Sequence, residues 1–288
     1  MAIRYQVLRF PEGKGKAVTF SYDDGPRADL RLADKFTEYG MKCTFNLNGG
    51  EGDFGQHITP EEVKAHFLDK GHEVAVHGAC HRAPGRHRPI QGIKDVLDCR
   101  LYLEETYDTI IRGMAYPDSG IRRLTDFTSY ETIKEYLTEL DIVYSRTLGG
   151  DNDSFDLPSD WHQWMPTAHH NNPEIFNYID KFLGWNVSEG YVASRDSKLF
   201  YIWGHAFEFD RNDNWDLVDK ICEKLGGHED IWYATNIEIY DYIHAYNSLV
   251  YSADATRIYN PTLYTIWFVT NNVLYSIKPG ETIKIPKE

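Results

Sequence analysis

The stretch Ala17-Val18-Thr19-Phe20-Ser21-Tyr22-Asp23-Asp24-Gly25-Pro26 joins a β-branched and aromatic run to an acidic pair and a Gly-Pro step. The run reads as a strand, and the Gly-Pro step as the turn that ends it. Leu30, Ala33 and Phe36 then recur at helical spacing, with Gly40 where a C-terminal cap belongs. Cys43–Leu47 reads as the next strand. Thr59-Pro60-Glu61-Glu62 supplies an N-cap, a proline for the first helical position and acids for the first turn, so a helix should run from there to Gly71.

The alternation continues outward from this unit. Strands are predicted at 73–76, 111–116, 142–145 and 199–203, and helices at about 90–107, 130–140, 174–183, 215–225 and 237–249. Repeated β-then-α units predict a parallel sheet, closed or open, with functional residues on the loops at the strands' C-terminal ends. Residues 146–172 carry Gly, Asn, Asp, Pro, Trp and His without a period, which suggests a long functional loop. From about residue 252 the character changes to short strands at 263–269, 273–277 and 282–285, a small β appendage. Its aromatic residues Tyr259, Tyr264, Trp267, Phe268 and Tyr275 either pack onto the main body or form a surface for a homo-oligomer.

Charge narrows the partners. Among 288 residues, 30 Lys and Arg against 44 Asp and Glu leave a net charge of −14, which disfavours nucleic acid and membrane surfaces. Cys43, Cys80, Cys99 and Cys222 form no C-x-x-C pair and read as reduced thiols, with Cys80 expected to be small and buried. No apolar run approaches the ~20 residues of a membrane-spanning helix. The first residues hold no apolar core of an export signal, so a cytoplasmic location is expected.

Five polar constellations sit at or beyond predicted strand ends. Asp23-Asp24 is either an acidic surface turn or a pair in which one carboxylate binds a cation while the other handles a proton. His77 and His81, four residues apart just past a strand, can converge on one metal. Arg112 to Gly120 is a strand running into a turn, Ser159-Asp160-Trp161 lies in the long loop, and Leu199 to His205 is an apolar strand ending in Gly-His.

Thr19-Phe20-Ser21-Tyr22-Asp23-Asp24-Gly25-Pro26 resembles the T-F-D-D-G-P signature of the polysaccharide deacetylases, the NodB-type carbohydrate esterases. His77 and His81 match the spacing of that family's H-[ST]-x-x-H signature, and Tyr116-Pro117, Asp160-Trp161 and the strand ending at His205 follow in the family's order. The resemblance covers roughly residues 17–245 and implies an α/β fold over 1–251, a distorted (β/α) barrel of about seven strands, with 252–288 as the β-rich extension. It further implies metal-dependent hydrolysis of an amide-linked acetyl group on an N-acetylated sugar or glycan. Carried over position by position, Asp24, His77 and His81 would be metal ligands, Asp23 the general base, His205 the general acid and Asp160 its orienting carboxylate. Trp161 would wall the site, and the Tyr116 N–H, next to Pro117, would help hold the oxyanion.

Chemical logic agrees with those roles. One carboxylate and two neutral imidazoles leave a divalent metal with positive charge and open positions, able to activate water. The base takes the water's proton, and an acid on the opposite side protonates the poor amine leaving group. Mixed N and O donors suit Zn²⁺, with Co²⁺, Ni²⁺ or Fe²⁺ as other fits.

The chain departs from the family pattern in five places, one of them the bulky Trp203-Gly204 step of the last motif, where a small aliphatic residue is expected. Ser21-Tyr22 stands between Phe20 and the acids as two extra residues, and Gly78 replaces the hydroxyl residue after His77. Arg82 replaces the proline expected after His81. Gly113 stands where an arginine is expected, leaving Arg112 or, at another strand end, Arg146 to pair with the catalytic aspartate. Two other functions stay open: hydrolysis of a cyclic imide or ureide, and a non-catalytic glycan-binding module with Trp161, Trp164 and Trp203 as stacking platforms.

Overall fold

The computed structural model describes residues 5–49, 58–118, 120–123, 128–149, 153–188 and 195–286. A short strand the sequence pattern did not suggest, β1 (Gln6–Arg9), precedes the decisive run, which is one unbroken strand, β2 (Lys16–Asp23). Every residue of β2 is buried, as expected for a parallel strand covered on both faces. Helix α1 (Ala28–Glu38) returns the chain to β3 (Cys43–Leu47). Helix α2 (Pro60–His66) opens on a full capping box, in which the Thr59 hydroxyl accepts from the Glu62 N–H and the Glu62 side chain accepts from the Thr59 N–H. Then come β4 (Glu73–Val76), α3 (Pro89–Tyr107), β5 (Gly113–Ala115), α4 (Tyr130–Glu139) and β6 (Tyr144–Arg146).

The remaining barrel elements are β7 (Ala168–His169), α5 (Ile175–Leu183), β8 (Lys198–Gly204), α6 (Phe207–Asn212), α7 (Asp216–Leu225), β9 (Ile231–Tyr233) and α8 (Asn236–Asn247). All these strands pair in parallel in the order β6-β5-β4-β3-β2-β8-β7, a distorted (β/α) barrel. Strand β8 pairs along β2 from Lys16 to Tyr22, while β3 (against 20–23) and β9 (against 16–18) share its other edge. Sequence periodicity missed β9 because three residues are too few to show one.

The long loop closes the barrel. Trp164 pairs with Arg146 at the end of β6, and four residues later Ala168 and His169 pair with Ile202 and Trp203 of β8. Residues expected to be irregular thus bridge the two sheet edges; residues 150–152 of that loop lie outside the described ones.

The C-terminal strands are β10 (Val250–Tyr251), β11 (Arg257–Tyr259), β12 (Ile266–Thr270), β13 (Val273–Ile277) and β14 (Thr282–Lys284). They form two three-stranded sheets, β1-β12-β13 and β10-β11-β14, so β1 runs antiparallel to β12 far along the chain. Ile258, Ile266, Phe268 and Ile277 are fully buried in one cluster with Ile239 and Tyr242 of α8. The Tyr242 hydroxyl donates to the Arg9 carbonyl at 2.8 Å and accepts from the Trp267 N–H at 3.0 Å, which ties α8 to both strands. Among the described residues no helix is long and apolar enough to cross a membrane.

At the opposite end of the barrel from the strand C-termini, the Glu73 carboxylate accepts from Tyr144 (2.7 Å), Thr44 (2.8 Å) and the Ile237 N–H (2.9 Å). Burial pushes its carboxyl up to about 7 from an ordinary 4.5, although those bonds pull the other way. An acid with a raised folded pKa takes up a proton on folding, so its stabilising contribution holds at low pH and is lost as pH rises through that window. Between about pH 5 and pH 8 the parent should therefore lose on the order of 1–2 kcal/mol relative to Glu73→Gln, read from paired denaturation curves. A gap between the two proteins that does not change with pH would take Glu73 out of the pH response.

Candidate functional site

The C-terminal ends of the parallel strands converge on one polar centre. Asp23 is the last residue of β2, and Asp24 follows in the left-handed region at φ 78°, its N–H donating to the Asn46 carbonyl at 3.2 Å. That bend turns the two neighbouring carboxylates to different partners. Asp24 Oδ1 lies 3.4 Å from His77 Nε2 and 3.2 Å from His81 Nε2. His77 Nδ1 is 2.9 Å from the Ala115 carbonyl, which only an N–H can satisfy, so its Nε2 lone pair faces Asp24. Burial would raise the Asp24 carboxyl, but His77 and His81, which when protonated donate to it, outweigh this and hold it well below the usual carboxylate range. Burial likewise lowers His77, and the charges of Asp23 and Asp24 more than reverse this.

The loop from His77 to His81 is fixed by neighbours rather than by a hydroxyl of its own. Asn48 Nδ2 donates to the carbonyls of His77 and Gly78, each at 2.9 Å. Gly78 has φ +82°, and a Cβ there would stand 2.5 Å from Asp95 Oδ2. Asp95 Oδ1 accepts the Cys80 N–H at 2.6 Å. The glycine that departs from the family signature is thus the residue this loop requires, and Asp95 of α3 supplies the missing anchor. Cys80 is exposed, contrary to the expectation of a buried thiol.

Asp23 is only 2% exposed and is paired through Oδ2 with Arg146 Nη2, while Oδ1 accepts from Asn46 at 2.8 Å. The Arg146 guanidinium is fully buried and lies 4.5 Å from the Trp203 ring centroid. Arg112 points the other way, as strand alternation requires, and pairs with Asp241 of α8 at 2.6 Å. The arginine on the aspartate is therefore Arg146. His205, just past β8, places Nε2 3.9 Å from Asp23 Oδ2 and 3.8 Å from Asp24 Oδ2. Burial lowers its pKa despite the carboxylates around it.

The structure corrects several expectations. Ser21 and Tyr22 are not an insertion: both pair in register with β3 and β8, so they occupy the hydroxyl and aromatic positions directly before the acids. The Tyr116 N–H extends the β5–β6 ladder to the Arg146 carbonyl at 3.0 Å and is not free for an oxyanion. Pro117 is buried beside it and, having no N–H, offers only a carbonyl, which accepts from Gly120 at 3.1 Å; Ser119 of the same motif lies outside the described residues. Asp160 does not reach His205. Its carboxylate takes Tyr130 (2.8 Å), Lys134 (2.9 Å) and the His162 N–H (3.0 Å), capping a short turn against α4. Trp161 packs edge-on against Trp164 and Tyr240, away from the acidic pair, and Trp164 is buried at 2% exposure. Trp203 is the aromatic beside the site, 5.8 Å from His205 between ring centroids.

Three polar side chains at the centre went unrecognised. Glu208 Oε2 lies 3.2 Å from His169 Nε2 and 3.1 Å from His170 Nε2. Burial opposes ionisation of Glu208, but its bonds to both imidazoles hold it well below the usual range. Burial pushes His170 down to about 4. The signals were the adjacent pair His169-His170 in the aperiodic loop and an acid three residues after His205, one helical turn away.

The Asp24, His77 and His81 donors lie within 4.8 Å of one another. Ligands about 2.0–2.2 Å from a tetrahedral zinc stand roughly 3.3–3.5 Å apart, the spacing seen here, so this donor set fits a divalent cation. Residues 11–133, which hold all three donors, match the family profile described as polysaccharide deacetylase. No curated protein matches the sequence. Among solved structures, the Puue allantoinase superposes with a TM-score of 0.59 at 14% identity over 82% of this chain and 92% of that one. A probable polysaccharide deacetylase from Pseudomonas aeruginosa PAO1 superposes with a TM-score of 0.55 at 15% identity over 82% of this chain and 93% of that one. At such identities these two attest the barrel alone. From before β2 through the cation cluster to the first turn of α4, the chain is thus similar to the polysaccharide deacetylase family.

Proposed function

We propose that this chain is a divalent-metal-dependent hydrolase that releases acetate from the amide of an N-acetylated sugar or glycan. The observation that supports this best is the division of labour within Asp23-Asp24. Asp24 meets two imidazoles at cation-ligand spacing, while Asp23 sits behind it on a buried arginine. When bound, a divalent cation would supply a Lewis acid for the scissile carbonyl and lower the pKa of water; Zn²⁺ is the cation we assign to this mixed donor set.

The chain's own groups do the rest. Asp23 removes a proton from the attacking water, and Arg146 and Asn46 keep the carboxylate aimed through both of its oxygens. His205, facing the acidic pair, protonates the leaving nitrogen. An imidazolium whose pKa is lowered by burial is a stronger acid, which suits so poor a leaving group. Trp203, only 8% exposed, backs the site behind Arg146 and His205 as an apolar wall.

The test is acetate release by metal-reconstituted protein from N-acetylglucosamine and its oligomers, beside a panel of cyclic imides and ureides that includes allantoin. Turnover of at least one acetylated sugar is expected. Turnover confined to the cyclic amides would move the substrate class, since one barrel hosts both chemistries. Glycan binding without any turnover would make the chain a binding module.

A further inference from the structure

We propose that Glu208 is the positioning residue for His205, holding its imidazole so that Nε2 faces the acidic pair. The inference builds on the proposed role of His205 above. Its basis is the distribution of contacts around the Glu208 carboxylate.

Glu208 stands in the first turn of α6, three residues after His205, and its N–H donates to the His205 carbonyl at 3.0 Å. Its two oxygens differ. Oε2 faces His169 Nε2 (3.2 Å), His170 Nε2 (3.1 Å) and Asn171 Nδ2 (3.0 Å). Oε1 meets Arg211 at 3.2 Å and lies 3.8 Å from His205 Nδ1. Among the described residues no other carboxylate comes within 4 Å of that nitrogen, which is buried without a hydrogen-bond partner. The imidazole is thus bracketed by Glu208 at Nδ1 and by Asp23 and Asp24 at Nε2. A gap of 3.8 Å exceeds a hydrogen bond by less than 1 Å, and such contacts tighten when substrate is bound.

His169, His170 and Glu208 also have the spacing of a cation site. The second ring nitrogens argue otherwise. His77 Nδ1 faces a carbonyl and so leaves a lone pair on Nε2, whereas His169 Nδ1 accepts the Asn171 N–H at 3.1 Å, which puts the proton of the neutral ring on Nε2. His170 is fully buried, stacked between Tyr22 and Phe209, with its other edge against Gly204. A neutral ring there meets a carboxylate as an N–H donor. Oε2 is thus crowded by Asn171, which donates to it, and by the Nε2 atoms of His169 and His170, the latter 3.1 Å away but without hydrogen-bond geometry. Oε1, which also meets Arg211, is the oxygen left to turn toward His205.

The experiment compares parent, Glu208→Gln, Glu208→Asp, His205→Ala and the double variant Glu208→Gln/His205→Ala, all metal-loaded. Two substrates are used, an acetylated sugar and 4-nitrophenyl acetate, whose leaving group needs no protonation. Glu208→Gln should lower kcat on the amide about 100-fold with KM unchanged, yet change ester turnover by less than about five-fold. Glu208→Asp should recover part of the loss, and the double variant should be no slower than His205→Ala. Long-range ¹H–¹⁵N spectra should place the His205 ring proton on Nδ1 in the parent and not in Glu208→Gln, a readout that needs no turnover. Metal content should be about one equivalent per chain in both. Equal loss on both substrates, multiplicative loss in the double variant, an unchanged His205 tautomer, or two equivalents of metal falling to one in Glu208→Gln would each overturn the proposal. A parent that spares the sugar altogether sinks the deacetylase reading instead, and the spectra then decide the role of Glu208.

Discussion

Protein carrying His81→Ala or His77→Ala should purify with less than about a tenth of an equivalent of divalent metal, and should turn over an acetylated substrate at least about a thousand-fold more slowly than the parent. Three donors converge in this cluster, and deleting one leaves two, too few to hold a cation at neutral pH. The two variants differ in what else they disturb. His77 is buried and bonded to the Ala115 carbonyl, so its loss also opens a cavity and strands an acceptor, at about 1–3 kcal/mol. His81 is partly exposed, and its variant should unfold close to the parent's midpoint. Elemental analysis beside a thermal melt separates the effects. Metal retained in both variants would mean that the cation sits elsewhere or that none is used.

The second large effect concerns Asp23. Asp23→Asn should keep its metal and lose about a thousand-fold or more in turnover, because an amide cannot accept the water's proton. The exchange is not silent for the fold. Asp23 accepts from Asn46 on one oxygen and from Arg146 on the other, so an amide must turn its NH₂ toward one of these donors. Arg146, fully buried, would lose its counter-charge, at about 2–4 kcal/mol. Stability should therefore fall while metal content holds. A variant as fast as the parent would take the role of base away from Asp23.

Much of this site is readable along the chain because each contributing residue follows its own strand. Asp23-Asp24 and His77 come directly after apolar runs, and Arg146 closes Tyr144-Ser145-Arg146, so local pattern is enough to place them at one end of a parallel sheet. What pattern cannot give is which loop side chains share a neighbour. His169 and His170 reach Glu208 only because β7 pairs with Ile202 and Trp203 of β8, a register set by the whole barrel. Motif order put Asp160 beside His205, but α4 offers it a tyrosine and a lysine first. The Tyr116 N–H was misassigned because β5 continues its ladder one bond beyond its last residue. The contact between β1 and β12 has no local signal at all.

That last contact sets an order of assembly on the ribosome. Residues 6–9 are made long before their ladder partner among the described residues, 267–270, about 260 residues later. At ordinary elongation rates this is a delay on the order of 10–50 s, during which a short apolar edge waits uncovered while the barrel forms behind it. The β1-β12-β13 sheet is therefore completed only after the barrel strands have been made, and a chain cut short before β12 would leave that edge open to self-association.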